Sequence, residues 1–541
     1  MEAKQRSRLK ICKKCCLTIL LAAGLLLSAA GGAKAVDFQA KGGWLMGFGV
    51  NGGLGENSFI NKVRNNGGSK TKANTQDTFA AAQRIRLQLD AVASEALSGT
   101  VFFEIGDTTW GQNATGGALG ADRTSVIELK NAYLDWQIPK TQLRTRMGIQ
   151  GIGLPNTAGG SAIMDADSAG IVASYQFNDN VGLTALWMRP VNGNFAGWTD
   201  GADRAQGNNY LDNIDLIALT LPLKVDCVEF TPWVMYGMMG KNVLEGYGDG
   251  SYPSRYANAN PSSWSTVDGN LAFTLNSLYP GFNAPNGLGS TSKAYGSMFF
   301  AGLPLAVAVW DPLNIEIDLN YGYVEAMGRY DVARYGDVAD IMRASTRRQG
   351  WLAKALIEYK TDWGTPGIFG WYASGDDGDV KNGSERLPTI AGAANFTSFM
   401  GDGNLGWVPG AWYDLDLSYA GTWGLGMQLK NMSFVENLTH TFRIAYWNGT
   451  NSPSLVKYMS GATAWTQGTG AQDGPYLTTN DGLLEFNLVN SMTIYENLEA
   501  NLELGYIANM VDDGTWKRNW TGDSYEKQDA WKAQLVFAYR F

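Results

Sequence analysis

Short gaps and long gaps alternate between the patterned segments of this chain, and that order restricts its fold more than any single motif does. The gap after the first segment is long ("NGGLGENSFINKVRNNGGSKTKANTQ"), the next short ("SEALSG"), the next long ("TTWGQNATGGALGADR"), and the next only "PKTQ". The order continues long, "NDN", long, "PLKVD", a very long stretch near 240–293, "WDPLN", long, "TDWGT", long, "VENL", long, "YENLE", long. Eight short turns and nine long loops separate 18 strands, with 16 as the alternative count. A membrane-anchored meander predicts this order, because its turns on one side are short and its loops on the other are free to grow. A sandwich or propeller gives no reason to place every long loop after an odd strand. The expected fold is all-β, a closed antiparallel transmembrane β-barrel.

The segments have the composition such strands need. In "AAQRIRLQLDA" from Ala81, "QLRTRMGIQ" from Gln142, "NIEIDLNYGYV" from Asn314, "GWLAKALIEYK" from Gly350 and "NLEANLELGYIA" from Asn497, one register is apolar and the other charged or small. The last strand, "DAWKAQLVFAYRF", sets Trp531, Ala533, Leu535, Phe537 and Tyr539 against Lys532, Gln534 and Arg540. Each segment runs to about ten residues, the length at which a tilted strand crosses a bilayer. Less regular strands are expected near 97–107, 124–138, 169–178, 181–190, 212–223, 228–239, 294–308, 365–375, 413–430 and 481–495. "VIELKNAYLDWQI" (126–138) changes phase, which calls for a bulge or for a face buried against another subunit. No later run of apolar residues is long enough for a transmembrane helix.

Residues 1–35 read as a cleaved secretory signal, with six basic residues before Cys15, an apolar run to Ala30 and Ala33-Lys34-Ala35 at the cleavage point. Residues 36–541 then form a single barrel domain, whose first strand begins too early to leave room for a plug. Removing 1–35 takes seven of 42 basic and one of 51 acidic residues, leaving a formal charge of −15. That charge argues against a nucleic-acid partner. Cys12, Cys15 and Cys16 leave with the signal, so Cys227 has no internal partner.

The register opposite the apolar face gives the expected pore lining: Arg84, Arg86, Asp90, Glu104, Arg144, Arg146, Glu316, Asp318, Lys354, Glu358, Arg443, Glu499 and Glu503. A basic ladder facing acidic groups sorts solutes by charge and dipole, and the arginines predict a slight anion preference. The third long gap, "GLPNTAGGSAIMDADSAG", is the candidate constriction loop, with Asp165 and Asp167 expected to face the arginines. His440, the only histidine, shares the apolar register and has no catalytic setting, so no enzyme activity and no cofactor are expected. Asp376, Asp377 and Asp379, with Glu385, form a weak calcium candidate whose spacing misses the EF-hand pattern. Arg329, Arg334, Arg343, Arg347 and Arg348 form either a basic vestibule or a balance for neighbouring aspartates.

"AVDFQAKGGWLMGFGV", "LKNAYLDWQIPKTQLRTRMGIQ", "GWYASGDDGD" with "GSERLP", and the C-terminal strand together resemble the homotrimeric outer-membrane porins of Desulfovibrio-like sulfate-reducing bacteria. The resemblance implies a passive diffusion porin in a Gram-negative outer membrane, assembled as a homotrimer. It also implies that Phe541, with Tyr539 and Phe537, is read by the outer-membrane barrel assembly machinery. The expected partners are outer-membrane lipid, other copies of the chain, and small hydrophilic solutes and ions. A substrate-specific channel for an organic acid, sugar or acidic polysaccharide is the alternative.

Overall fold

The computed structural model describes residues 36–52, 78–111, 127–192, 213–240, 282, 293–334, 340–392, 396–400, 403–407, 419–459, 475–516 and 529–541. The expected signal, residues 1–35, lies outside the described residues. The wall is built from β1 (Asp37–Gly52), β2 (Thr78–Ser94), β3 (Leu97–Thr109), β4 (Ile127–Gln137), β5 (Leu143–Gly153) and β6 (Asp165–Asn178). It continues through β7 (Val181–Asn192), β8 (Asn213–Thr220 with Leu223–Val225), β9 (Val228–Phe230 with Trp233–Gly240), β10 (Tyr295–Val307), β11 (Leu313–Val324) and β12 (Arg348–Tyr359). The last six are β13 (Thr365–Ala373), β14 (Thr422–Val435), β15 (Leu438–Gly449), β16 (Gly482–Tyr495), β17 (Leu498–Asn509) and β18 (Ala530–Arg540). The sheet holds 20 segments, but β8 and β9 are each two segments interrupted at Pro222 and Pro232, so the barrel has 18 strands. Proline has no N–H to give the ladder, although the Pro222 and Pro232 carbonyls still accept from Gly182 and Leu221.

Each strand pairs antiparallel with its neighbours, and β1 pairs with β18 from Gly43↔Arg540 to Gly52↔Trp531, which closes the ring. Closure is what hydrocarbon demands, since it cannot satisfy an open sheet edge. Tight turns close one end. Asp226 (φ 50°) and Asn437 (φ 62°) take left-handed conformations there, which short Asp and Asn side chains tolerate.

The outer wall reverses the pattern of a water-soluble protein. Leu425 is 62% exposed, Met427 59% and Ile217 53%, all in the register that alternation marks as apolar. Exposed aromatics gather towards the two ends of this band. Phe177, Trp310, Tyr359, Trp363, Phe434 and Tyr495 lie towards the tight turns, and Phe79, Trp110, Tyr236, Tyr295, Trp351 and Tyr372 towards the long loops. Two such girdles mark the interfaces of a membrane-spanning barrel.

The phase change in β4 is a bulge. Phe102 pairs with Asn131 and Phe103 with Leu129, which leaves Lys130 as the extra residue. The expected strand near 413–430 begins instead at Thr422, while 408–418 lie outside the described residues. The long connection after β11 carries a hairpin, Arg329–Val332 with Met342–Ser345, that periodicity does not reveal.

Among the described residues, two connections fold into the barrel. Residues 154–164, between β5 and β6, bury Leu154, Ala158, Ile163 and Met164. The connection between β13 and β14 buries Phe396, Phe399, Met400 and Trp407. The 154–164 strap lies against an inner wall that is itself apolar on β7–β10, where Leu186, Met188, Leu216, Met235 and Phe300 are buried, while Phe396 of the second insert stacks on Phe369 and Trp371 of β13.

Candidate functional site: the narrowed lumen

Period two places every expected pore residue in the inner register, but the structure gives them different surroundings. Asp318 and Lys354 are Cα partners on β11 and β12 and are buried, each about 1% exposed, beneath the 154–164 strap. The Thr157 N–H donates to Asp318 Oδ2 at 3.0 Å and the Ala158 N–H donates to the same oxygen at 2.7 Å. Lys354 Nζ donates to the Gly160 carbonyl and lies 3.5 Å from Asp318 Oδ2. Trp233 Nε1 ties down the strap's start through the Pro155 carbonyl at 3.0 Å.

The second insert is held in the same way by β16–β18. Glu485 accepts from the N–H groups of Phe399 (3.0 Å) and Met400 (3.3 Å), from Thr397 Oγ1 and from Trp447 Nε1. Glu503 accepts from the Asn404 N–H at 3.0 Å and from Gln534, and lies 3.1 Å from Lys532 Nζ. Lys532 in turn donates to the Ser398 carbonyl at 2.8 Å. Glu485 and Lys532 are functional residues that the sequence reading missed; both stand in the inner register of their strands.

The cationic wall consists of two similar units. On β5, Arg144 Nε donates to Asp135 Oδ1 at 2.6 Å, and Arg146 Nη2 donates to Asp135 Oδ2 at 2.7 Å. On β2, Arg86 Nε meets Glu104 Oε2 at 2.6 Å, and Arg84 Nε lies 3.7 Å from Glu104 Oε1. In each unit two same-face arginines share one carboxylate from the neighbouring strand; this leaves a charge of +1 on the β5 unit, while Glu128 of β4 stands opposite Glu104 beside the β2 unit. The Arg144 side chain is 60% exposed and Arg84 only 13%, because Arg84 lies 5.7 Å from the Trp407 ring centroid. Asp90 accepts from Thr100 Oγ1 at 2.6 Å and stands 3.6 Å from Lys41.

Eight strands separate β2 from β11 in either direction round the ring, and Glu316 lies near the tight-turn end of β11 while Arg84 and Arg86 lie near the middle of β2. Glu358 is paired with Lys430 at 2.6 Å and accepts from Gln428, whose Oε1 accepts from Arg443. Glu499 accepts from Asn501 and meets Arg540 at 3.3 Å.

Asp165 and Asp167 do not face the arginines. They open β6 in the register opposite the buried Ala166 side, opposite Gly153 and Gly151 on the outer wall, and Asp167 meets Lys130 Nζ at 2.5 Å. The loop enters the lumen as expected, but its chain has returned to the wall before these aspartates. His440 is also in the outer register, with Nδ1 2.7 Å from Asn490 Oδ1. Phe541 exchanges two backbone hydrogen bonds with Gly42, and its ring stands 5.3 Å from Trp44.

The acidic stretch after β13 spends its carboxylates on its own loop and on Tyr476 of the connection between β15 and β16. Buried Asp376 accepts from Ser384 Oγ, the Glu385 N–H and the Tyr476 hydroxyl; Asp377 accepts from the Asp379 N–H, and Asp379 from the Lys381 N–H. Among the described residues no three acidic, His or Cys side chains converge as a metal site. Arg348 is buried with its guanidinium on the Arg386 and Leu387 carbonyls, so it is no part of an open vestibule. Arg347 meets Glu385, and Arg343 meets Asp331, both at 3.5 Å.

Burial pushes the Glu385 carboxyl up to about 7; the nearby Asp376 and Asp377 charges add to this, and Arg347 opposes it. A folded value above the unfolded one means that the folded loop holds its proton longer. Its stability is therefore greatest below about pH 4.3 and falls as pH rises towards 7. Amide exchange across 374–387 is expected to be better protected at about pH 5 than at about pH 8 after correction for intrinsic rates, with Glu385→Gln flattening the difference. Equal protection at both values would remove Glu385 as the cause.

No protein-family model and no curated protein matches the chain. Among solved structures it is similar to OpdL of Pseudomonas aeruginosa, at 12% identity and a TM-score of 0.46 over 93% of this chain and 99% of that one. It is also similar to OccK8 (OprE) of the same organism, at 11% identity and a TM-score of 0.45 over 93% of this chain and 97% of that one. A BenF-like porin from Pseudomonas fluorescens Pf-5 has 11% identity and a TM-score of 0.45, over 93% of this chain and 98% of that one.

Proposed function

We propose that the chain is a passive, water-filled channel of a Gram-negative outer membrane, open to ions and small hydrophilic solutes and without enzymatic activity. One observation carries this reading: a closed ring of 18 strands has an apolar outer wall between two aromatic girdles, and charged groups on its inner wall reach water. The β5 arginine unit gives that inner wall a cationic side, so local charge favours anions despite the acidic composition.

The chain is a homotrimer in this proposal. Arg189 and Asp215 pair at 2.8 Å in the outer register of β7 and β8, and Asp165 and Asp167 stand on the same side of the barrel. Charges on a wall otherwise made for hydrocarbon are costly in lipid and are sheltered by contact with another subunit. Residues 1–35 act as the export signal, and the outer-membrane assembly machinery reads Phe541 with Phe537 and Tyr539.

The two inserts support a second reading, a substrate-specific channel, because a built constriction is what solute selection requires. Single-insertion currents of the purified protein in a planar bilayer, recorded in a salt gradient, separate the two. The porin reading expects large conductance stepping in threes with an anion-directed reversal potential. Small current blocked by one solute class would replace it with the specific channel.

A further inference from the structure

Resting on the channel reading, we infer that the two inserted segments are one coupled constriction, and that Asp318, Lys354 and Tyr419 are the positioning residues that set its aperture. The Lys354 side chain is fully buried, and its ammonium has three N–H groups to place. Three partners surround it: Asp318 Oδ2 at 3.5 Å, the Gly160 carbonyl, and the face of the Tyr419 ring at 5.3 Å. Asp318 receives the N–H groups of Thr157 and Ala158. The strap therefore threads between opposite charges on adjacent strands, giving N–H groups to the anion and a carbonyl to the cation.

Tyr419 belongs to the other insert, and its hydroxyl donates to the Gly159 carbonyl at 3.1 Å. Further along, the Ile390 N–H donates to the Ile163 carbonyl at 2.9 Å, and the Asp165 N–H donates to the Ala391 carbonyl at 2.7 Å. The two segments thus share hydrogen bonds at the middle and at the far end of the strap, and one cannot move without breaking the other's contacts. Gly159 (φ 59°) stands at a close approach of the two segments, since a Cβ there would meet the Tyr419 hydroxyl at 2.7 Å and the Phe396 ring at 2.9 Å.

An ion pair buried in this way adds little stability, because desolvation offsets most of its attraction; fixing one geometry is the role for which such pairs are best attested. Elsewhere on the wall, Lys532 with Glu503 repeats the buried, insert-binding arrangement, whereas Asp90 beside Lys41 takes its hydrogen bonds from the strand side chains Thr100 and Gln88. A pair that only stitched β11 to β12 would have no use for contacts to three backbone groups of a strap.

The test compares wild type with Lys354→Met, Tyr419→Phe and Gly159→Ala in proteoliposome swelling with sugars of graded size, alongside bilayer current. Heat-modifiable migration confirms that each barrel is closed. Lys354→Met is expected to admit larger sugars severalfold faster, while small-ion conductance changes less and current noise rises. Tyr419→Phe and Gly159→Ala leave the ion pair in place and are expected to shift the cut-off in the same direction. Folded variants with the wild-type cut-off and noise would overturn the inference, and a lowered melting temperature alone would show a purely structural pair. If Lys354→Met fails to fold, the other two variants decide. A conducting wild type with unchanged variants defeats the inference alone. A silent wild type opened by the variants keeps the inference and defeats the open-channel reading, and silence throughout defeats both.

Discussion

With Arg144 and Arg146 both exchanged for alanine, the reversal potential in a salt gradient moves from the anion side towards cations, and in dilute salt it changes sign. The unit they form with Asp135 goes from a charge of +1 to −1, because the Asp135 carboxylate remains on the wall with both of its partners gone. At ionic strengths of about 0.01 M the screening length is roughly 30 Å, long enough for that change to be felt across the lumen, whereas at 1 M it is about 3 Å. The effect should therefore shrink steeply as salt is raised. Adding Asp135→Asn to the double variant leaves the unit neutral and should return the potential part of the way. Arg84→Ala with Arg86→Ala is expected to act in the same direction but less strongly, since Arg84 is mostly covered by Trp407. A folded double variant with the wild-type potential at both salt concentrations would mean that selectivity is set elsewhere.

Gly42→Leu is expected to abolish barrel assembly. A Cβ at this position would stand 2.3 Å from the Arg86 carbonyl oxygen and 3.1 Å from the Phe541 ring, so neither the β2 side nor the β18 side leaves room for a side chain. Backbone atoms cannot move out of the way as a flexible side chain would, and the strand must shift along its whole length. Phe541→Ala removes the ring and relieves only one of the two clashes, so the double variant should remain defective. The measurement is the fraction of protein that migrates as a compact species in unheated detergent gels. Wild-type recovery for Gly42→Leu would show that the seam tolerates a looser pairing than the one described.

The sequence made the architecture legible because a membrane-spanning strand must satisfy two solvents at once. Arg84, Arg144, Glu316 and Glu499 could each be assigned to the inner wall by counting in twos. The weakest strands in the sequence, near 181–190, 212–223, 228–239 and 294–308, turn out to have apolar residues on both faces. Their inner sides carry Leu186, Met188, Leu216, Met235 and Phe300 under the inserted segments, so the contrast that reveals a strand is lost. Periodicity gives a face and is silent about what covers it. That is why Asp318, Lys354 and Glu503 read as water-facing residues although they are buried anchors for folded-in backbone. Asp135 was hidden for another reason: the bulge at Lys130 breaks the count just before it. Asp165 and Asp167 were misplaced because an aspartate-rich end of a loop and the start of an over-long strand look alike in one sequence.

Along the wall, all pairings but one join strands that follow each other in the chain, and the exception joins β1 to β18 across almost its entire length. Among the pairings of the wall, sequence separation is therefore concentrated at a single ladder. Hairpins can form by local closure at low entropic cost, while the last step must bring together the two ends of a very long loop. Until it does, both edge strands present unpaired backbone groups that neither lipid nor a neighbouring strand satisfies. Whatever keeps those two edges apart holds the whole protein in an unfinished state, so the timing of folding is set by fewer than a dozen residue pairs out of the whole barrel.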